Sequence, residues 1–148
     1  MAARTLIDTN VLVYRYDPRF PDKQRIAKRL LQDGIATGTT RLPHQAIIEF
    51  VAAATRGGPG GRLLEPSDAL REAEELIAQF PVLYPNAAVL RTALRGMAAY
   101  RLPWFDAHLW AYAEVHGIPE LLSEDFQDGR MYGTVTVRNP FAAARPAR

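Results

Sequence analysis

The order of apolar and polar residues along the chain predicts strands and helices in alternation. Residues 3–7 form a short run of β-branched and apolar side chains that ends in Asp8, as expected of a buried strand with an acid at its carboxyl end. Similar runs predict strands at residues 39–42, 82–84, 121–122 and 134–137. The chain therefore offers four to five strands for one sheet.

Helical periodicity fills most of the chain between these strands. Helices are predicted over residues 21–33, 43–54, 86–100 and 103–116, with a further helix capped by Ser67. Gly34 is expected to end the first helix, and residues 57–61, rich in glycine, are expected to form a loop. The alternation predicts an α/β fold in three layers, with a central, mainly parallel sheet flanked by helices.

Length and composition indicate one domain in a reducing compartment. The 148 residues are 48% hydrophobic and 23% charged, which is typical of a globular protein, and no linker divides them. We assign residues 1–141 to the domain and expect residues 142–148 to be a disordered tail. Cysteine is absent, and no apolar run approaches the roughly 18 residues that span a bilayer, so we expect a cytoplasmic protein with no membrane partner.

Four acidic residues fall where predicted elements begin or end. Asp8 and Asp125 follow predicted strands, Asp106 lies in the first turn of a helix, and Glu49 lies early in another helix. Ligands of open α/β sheets bind beyond the carboxyl ends of the strands, so these four carboxyl groups are expected to converge. Taken singly, each acid has an ordinary explanation as a turn, capping or solvent-facing residue, and only their order and spacing together indicate a site.

A cluster of carboxylates calls for a cation, because like charges resist joint ionisation. Without cysteine, the ligands must be oxygen or nitrogen atoms, and Mg²⁺ and Mn²⁺ prefer oxygen. Such ions activate water and stabilise the leaving oxygen of a phosphodiester. The acids therefore predict phosphodiester hydrolysis.

Five short motifs in order give the chain a family resemblance. They are LIDTNVL at residues 6–12, IIEF at 47–50, WFDA at 104–107, LLSEDFQDG at 121–129 and NPF at 139–141. Together they resemble a bacterial PIN domain over nearly the whole chain, and most of all the VapC-type toxins of toxin–antitoxin pairs. The resemblance implies a PIN-like fold and an endoribonuclease that depends on Mg²⁺ or Mn²⁺. It also implies an RNA substrate, a homodimer and a cognate antitoxin, which we expect to cover the acidic cleft with a basic side chain.

The resemblance also implies roles for particular residues. Metal ligation falls to Asp8, Asp106 and Asp125, with Glu49 either a further ligand or the holder of a water on the ion. The auxiliary positions are Thr9, Asn10, Ser123 and Asp128. The acid beside the fourth position, Glu124, makes it necessary to choose, and we take Asp125 as the inward one. The RNA target and the number of ions, one or two, stay open.

Two other functions compete with the nuclease. A phosphatase of the haloacid-dehalogenase type also places an aspartate after its first strand, but it requires a second aspartate at position 10, where this chain has Asn10, and a late lysine, which this chain lacks. The other alternative is a PIN-like module that has lost catalysis and only binds a partner. The presence of all four acids argues against that loss.

The aromatic, histidine and arginine side chains give weaker indications of function than the acids. Bulk at helical spacing favours core or dimer contacts over base stacking for Trp104, Phe105 and Trp110. The histidines match no metal-binding spacing and are assigned to the surface or to helix ends: His44, His108 and His116. Four arginines flank the predicted site segments as weak candidates for phosphate contacts: Arg56, Arg62, Arg101 and Arg130.

Overall fold

A computed structural model describes residues 3–143 and contains six strands and six helices within that range. The strands are β1 (Thr5–Ile7), β2 (Thr40–Pro43), β3 (Val82–Leu83), β4 (Glu120–Leu122), β5 (Met131–Tyr132) and β6 (Val135–Arg138). The helices are α1 (Thr9–Tyr14), α2 (Pro21–Thr37), α3 (His44–Thr55), α4 (Pro66–Gln79), α5 (Ala87–Tyr100) and α6 (Trp104–Val115). None of these helices is both long and apolar enough to cross a membrane.

The strands form one sheet in the order β3-β2-β1-β4-β6-β5. All neighbours pair in parallel except β5, which runs antiparallel to β6. The predicted α/β class with a mainly parallel sheet is confirmed. The sixth strand, β5, was not predicted, because its two residues lie between Gly129 and Gly133, where the sequence is typical of a turn. It turns back from β6 at Gly133, whose φ of 59° suits glycine.

Alternating side chains on the central strands build a core on each face of the sheet. Leu6 and Leu121 lie opposite each other in register and pack into the core beneath α5 and α6. The next pair, Ile7 and Leu122, point to the other face and pack with residues of α1, α2, α3 and α4. Buried strands with helices on both faces give the three layers that the sequence predicts.

Two helix boundaries differ from the predictions, and one short helix was not predicted. Gly34 does not end α2, which continues to Thr37 and stops at Gly38 with a φ of 70°. Gly34 is instead a packing residue, since an added Cβ would lie 2.4 Å from Thr40 Oγ1. Ser67 does not cap α4, which begins at Pro66. The six-residue helix α1 was not assigned from the sequence, because it is too short to show a periodic apolar face.

The C-terminal boundary is only partly described. Phe141, the last residue assigned to the domain, is 3% exposed and its ring lies 4.9 Å from that of Tyr14. Residues 142 and 143 form a turn. The rest of the expected disordered tail, residues 144–148, lies outside the described residues.

Candidate active site

Two neighbouring strands deliver polar residues to the same edge of the sheet. Asp8 follows β1, and its backbone N–H extends the ladder by donating to Leu122 O of β4 at 3.0 Å. Ser123 follows β4 and is fully buried. Because parallel strands end at one edge, residues far apart in the chain meet here.

Hydrogen bonds join these residues into one network. Ser123 Oγ donates to Asp8 Oδ2 and accepts from the backbone N–H of Asp125 at 3.1 Å. Asn10 Nδ2 lies 3.2 Å from Asp125 Oδ2 and 3.4 Å from Asp8 Oδ2. The other carboxylate oxygen of Asp8 accepts from the N–H of Thr9 at 2.6 Å, as the cap of α1. Asp8 and Asp125 are therefore held beside the same amide and hydroxyl groups.

Glu49 reaches the site from α3 with both oxygens engaged. Thr9 Oγ1 donates to Glu49 Oε2 at 2.7 Å, and Gln45 Nε2 donates to Glu49 Oε1 at 2.8 Å. Gln45 Nε2 also donates to the backbone carbonyl of Phe105 at 2.9 Å. The same side chain thus fixes Glu49 and ties α3 to the first turn of α6, where Asp106 lies.

Burial and mutual repulsion oppose ionisation of these acids. Asp8 is 5% exposed, and burial raises its pKa to about 7, with the charges of Asp125 and Asp106 adding to the increase. Its bonds from Ser123 and Thr9 act in the opposite direction. Burial also raises the pKa of Asp106 to about 6, helped by Asp125 and Glu49. The structure therefore brings all four predicted acids within electrostatic reach of one another.

Asp125 shows the same effect although its side chain reaches solvent. Partial burial is the main cause of its raised pKa, which the bond from Asn10 lowers and the charges of Glu124 and Glu49 raise again. Carboxyl groups with raised pKa values that share one cleft are typical of functional sites.

The donor atoms suit a hard divalent cation. Carboxylate and amide oxygens are the ligands that Mg²⁺ and Mn²⁺ prefer, and Asn10 Oδ1 is buried without a hydrogen-bond partner in residues 3–143. Over the same range, no group of three or more acidic, histidine or cysteine side chains is arranged to hold a metal ion directly. Mg²⁺ usually keeps several waters, so carboxylates that reach the ion partly through those waters fit it.

Two acids of the predicted loop have other partners. Glu124 accepts hydrogen bonds from Tyr14 Oη at 2.6 Å and Lys23 Nζ at 2.9 Å, so its carboxylate is anchored to α1 and α2. Asp128 accepts from the backbone N–H of Asn139 at 2.8 Å, a contact that secures the chain after β6. The structure does not bring Asp128, predicted as an auxiliary residue, into the network of the four acids.

Two cavities flank the acids. The first, of about 310 Å³, is bordered by Glu49 and by aromatic side chains, and we call it the aromatic pocket. It is lined by His44, Gln45, Trp104, Phe105, His108 and Tyr112, among others. The second, of about 380 Å³, includes Asn10, Asp125 and the exposed Arg19, and we call it the Arg19 pocket. An extended ligand crossing the acids would contact both.

Sequence reasoning missed two residues that shape this region. Gln45 precedes Glu49 by four positions, the spacing that places side chains together on a helix, and that spacing could have revealed it. Arg19 gives no such indication, because only the fold places it near Asp125. Of the predicted arginines, Arg130 lies 4.5 Å from the centre of the Tyr132 ring and Arg62 pairs with Glu65 at 3.5 Å.

Comparison with known families agrees with this geometry. The sequence model of the PIN-domain family matches residues 5–130, which is most of the chain. The chain belongs to the PIN-domain family. The strands and helices that carry Asp8, Glu49, Asp106 and Asp125 all lie inside the matched region. No curated protein sequence matches this PIN domain.

Solved structures show where the same PIN fold occurs. A toxin–antitoxin complex from Klebsiella pneumoniae aligns at a TM-score of 0.68 with 18% identity, covering 92% of this chain and 97% of that one. A DNA-bound VapBC from Salmonella typhimurium gives 0.69 and 12%, covering 94% and 99%. VapC20 from Mycobacterium tuberculosis, described as a toxin that cleaves the sarcin–ricin loop, gives 0.59 and 14%, covering 82% and 89%. At these identities the likeness concerns the fold.

Proposed function

We propose that this PIN domain is an endoribonuclease that depends on Mg²⁺ or Mn²⁺ and serves as the toxin of a type II toxin–antitoxin pair. The observation that carries the nuclease proposal is the buried carboxyl of Asp8, surrounded by Asp106 and Asp125 in one cleft. A divalent cation would stabilise the ionised form of such a cluster, because its charge offsets the repulsion between the carboxylates. The toxin assignment is supported by the folds it shares with toxin–antitoxin complexes.

Each residue of the site has a proposed task. A divalent cation held by Asp8, Asp106 and Asp125 would make water a stronger nucleophile and stabilise the leaving oxygen of the phosphodiester. Ser123 and Asn10 fix the orientation of Asp8 and Asp125 through their hydrogen bonds. Glu49, held by Thr9 and Gln45, is placed to orient the attacking water or to serve as a further ligand.

The bond changes follow from these positions. Water attacks the phosphorus atom and gives its proton to Glu49, the bond to the leaving ribose oxygen breaks, and that oxygen takes up a proton from solvent. Glu49 is the proposed base because Thr9 and Gln45 hold its carboxylate in one position, although their hydrogen bonds also weaken its basicity.

The proposed partners follow from charge and exposure. An acidic cleft is the natural target of an arginine from an antitoxin, which would neutralise the carboxylates and exclude the cation. A homodimer is supported by α5, which exposes Leu90, Leu94 and Met97 at spacings of four and three residues. A second copy would remove these side chains from water.

The chain belongs to the PIN-domain family, which is not the family of the haloacid-dehalogenase-type phosphatases. The phosphatase alternative therefore loses its support. The module without catalysis remains the competing hypothesis. It predicts that replacing the acids changes no activity and that divalent cations do not stabilise the protein.

The direct test is cleavage of structured RNA by purified protein free of any partner, in EDTA, Mg²⁺ or Mn²⁺. We expect cleavage only with metal, and its loss in Asp8→Asn. Asp33→Asn is the matched control, because Asp33 lies exposed on α2 away from the site. Equal activity of the Asp8→Asn variant, or activity in EDTA, would refute the proposal. If no RNA is cut and metal leaves the melting temperature unchanged, the module without catalysis is the better description.

A further inference from the structure

The aromatic pocket beside Glu49 has features that an antitoxin or dimer contact does not require. We propose that it binds one unstacked nucleobase of the RNA, the base of a nucleotide next to the bond that is cut. This proposal rests on the nuclease function proposed above and adds a specificity site to it.

The first support is position. Glu49 borders the pocket and also accepts the hydrogen bond from Thr9, which adjoins Asp8. Phe105, on the other wall, directly precedes Asp106 in the chain. A phosphodiester held at the acids would therefore place a neighbouring base at the mouth of the pocket. The Arg19 pocket holds a guanidinium that pairs with Asp17 at 2.8 Å while its side chain stays 59% exposed, and it could contact the continuing backbone.

The second support is the exposure of the aromatic side chains. The sequence pattern favoured core or dimer contacts for three of them, and the structure separates the three. Trp110 is 4% exposed and donates its indole N–H to Tyr132 O at 3.0 Å, so it is a core residue. Trp104 is only partly buried, and Phe105 is 68% exposed at the pocket wall. An exposed phenyl ring beside a nuclease centre is the surface on which bases stack.

The third support is the polar groups at the bottom of the pocket. His108 Nδ1 contacts Gln45 Oε1 at 2.6 Å, and its second ring nitrogen makes no hydrogen bond within residues 3–143. The Tyr112 hydroxyl is buried and has no hydrogen-bond partner in the same range; burial raises its pKa, and the nearby Gln45 backbone opposes that increase. Unsatisfied groups of this kind suit the polar edge of a base and would be poorly matched by an aliphatic side chain.

The size of the cavity agrees with a single small ligand. About 310 Å³ lies at the lower end of the range for small-molecule pockets, so it has room for one base and not for a helix. A single aromatic or aliphatic side chain of a protein partner is the competing occupant, and the experiment separates the two.

The test measures RNA binding in the Asp8→Asn background, where the strand stays intact. Fluorescein-labelled single-stranded octamers of A, C, G or U are titrated with protein, and anisotropy gives Kd. Adding Phe105→Ala is expected to weaken binding of the preferred octamer roughly tenfold, the usual effect of one lost stacking contact. Leu70→Ala, at an apolar residue of α4 that is 59% exposed, should leave Kd unchanged.

An octamer of the preferred sequence with one abasic position identifies the contact. If a base occupies the pocket, one abasic position lowers affinity by about the same factor as Phe105→Ala, and the two changes together cost no more than either alone. Additive effects at every position, or an unchanged Kd for Phe105→Ala, would overturn the proposal. An unchanged RNA Kd combined with weaker capture of the antitoxin by Phe105→Ala would assign the pocket to the protein partner.

Failure of the nuclease proposal would look different. If cleavage depends on metal and Phe105→Ala binds RNA normally, the nuclease proposal is supported and the base pocket is refuted. If no RNA is cut but binding still depends on the base, the nuclease proposal is refuted and the base pocket is supported. Quenching of tryptophan fluorescence by nucleoside monophosphates gives a second readout, because Trp104 lines the pocket whereas Trp110 is buried.

Discussion

The carboxyl group of Asp8 is held at a cost to the stability of the folded chain. Its oxygens accept hydrogen bonds from Thr9 and Ser123, yet burial outweighs these bonds and raises its pKa to about 7. A carboxyl that prefers its proton in the fold weakens the fold whenever the pH forces it to ionise. The site is therefore built at the expense of stability, as is common where charge is concentrated for function.

The metal-free protein is expected to become more stable as the pH falls from 8 to 5. The folded pKa of Asp8, about 7, exceeds its ordinary value of 3.8, so the folded state binds the proton more tightly than the unfolded state over this interval. Asp8→Asn should raise the free energy of unfolding at pH 8 by roughly 1–3 kcal/mol and flatten its pH dependence. Urea titrations in EDTA at both pH values measure this, and a variant less stable than the parent at pH 8 would contradict it.

Asp125 and Asp128 lie in the same loop and make a matched pair for testing roles. Asp125→Asn is expected to reduce RNA cleavage at least a hundredfold, because it removes one of the charges proposed to hold the cation. Asp128→Asn should retain most activity, since Asp128 bonds the backbone of Asn139 instead. Initial cleavage rates with saturating Mg²⁺ give the comparison. Equal losses in both variants would place Asp128 in the site after all.

Among single residues, the sequence predicts the four acids of the site better than the side chains that surround them. Carboxyl groups at strand ends and helix starts follow from the element pattern, so their approach could be expected. The family resemblance favoured Asp125 over Glu124, but the element pattern alone could not make that choice, because it depends on Tyr14 and Lys23 reaching Glu124 across the fold. The position of Arg19 near Asp125 could not be predicted for the same reason, because only the fold brings the two together.

Helices and strands were predictable where they are long, and less so where a contact between elements sets their limits. Gly34 has the sequence features of a helix end, yet it is retained inside α2 because the side chain of Thr40 leaves no room for a Cβ. The short helix α1 carries too few residues for a periodic pattern, and β5 lies between two glycines where the sequence is typical of a turn. Packing between elements, which one sequence does not display, decides these cases.

Close packing of α5 on α6 predicts the effect of a single methyl group. A Cβ at Gly96 would lie 2.3 Å from the Trp110 ring, so Gly96→Ala should lower the free energy of unfolding by roughly 1–3 kcal/mol. The gain of about 1 kcal/mol in helix propensity offsets only part of this. Gly57→Ala is the control, because nothing lies within 4 Å of its Cβ. Thermal unfolding of both variants tests the claim, and a Gly96→Ala variant as stable as the parent would refute it.

For the molecule as a whole, the exposed face of α5 predicts self-association. Leu94 is 54% exposed, and Leu94→Arg should convert a dimer into a monomer by burying a charge against the apolar face of the second copy. Light scattering after size exclusion measures the mass. Leu70→Arg on α4 is the matched control, as Leu70 is 59% exposed on another helix. A wild-type protein that is monomeric at high concentration would remove the basis for the dimer.

The sheet order has a consequence for how the chain leaves the ribosome. β1 is made first but pairs with β4 on one side, and Asn10 meets Asp125 across 115 positions of sequence. Chains are made from the N-terminus, so Asp8 lacks the strand that completes its surroundings until β4 has been made. If the chain is the nuclease proposed here, the growing polypeptide cannot cut RNA, including its own message, before β4 and Asp125 have been made. The interval gives a co-translated partner time to be present when activity first arises.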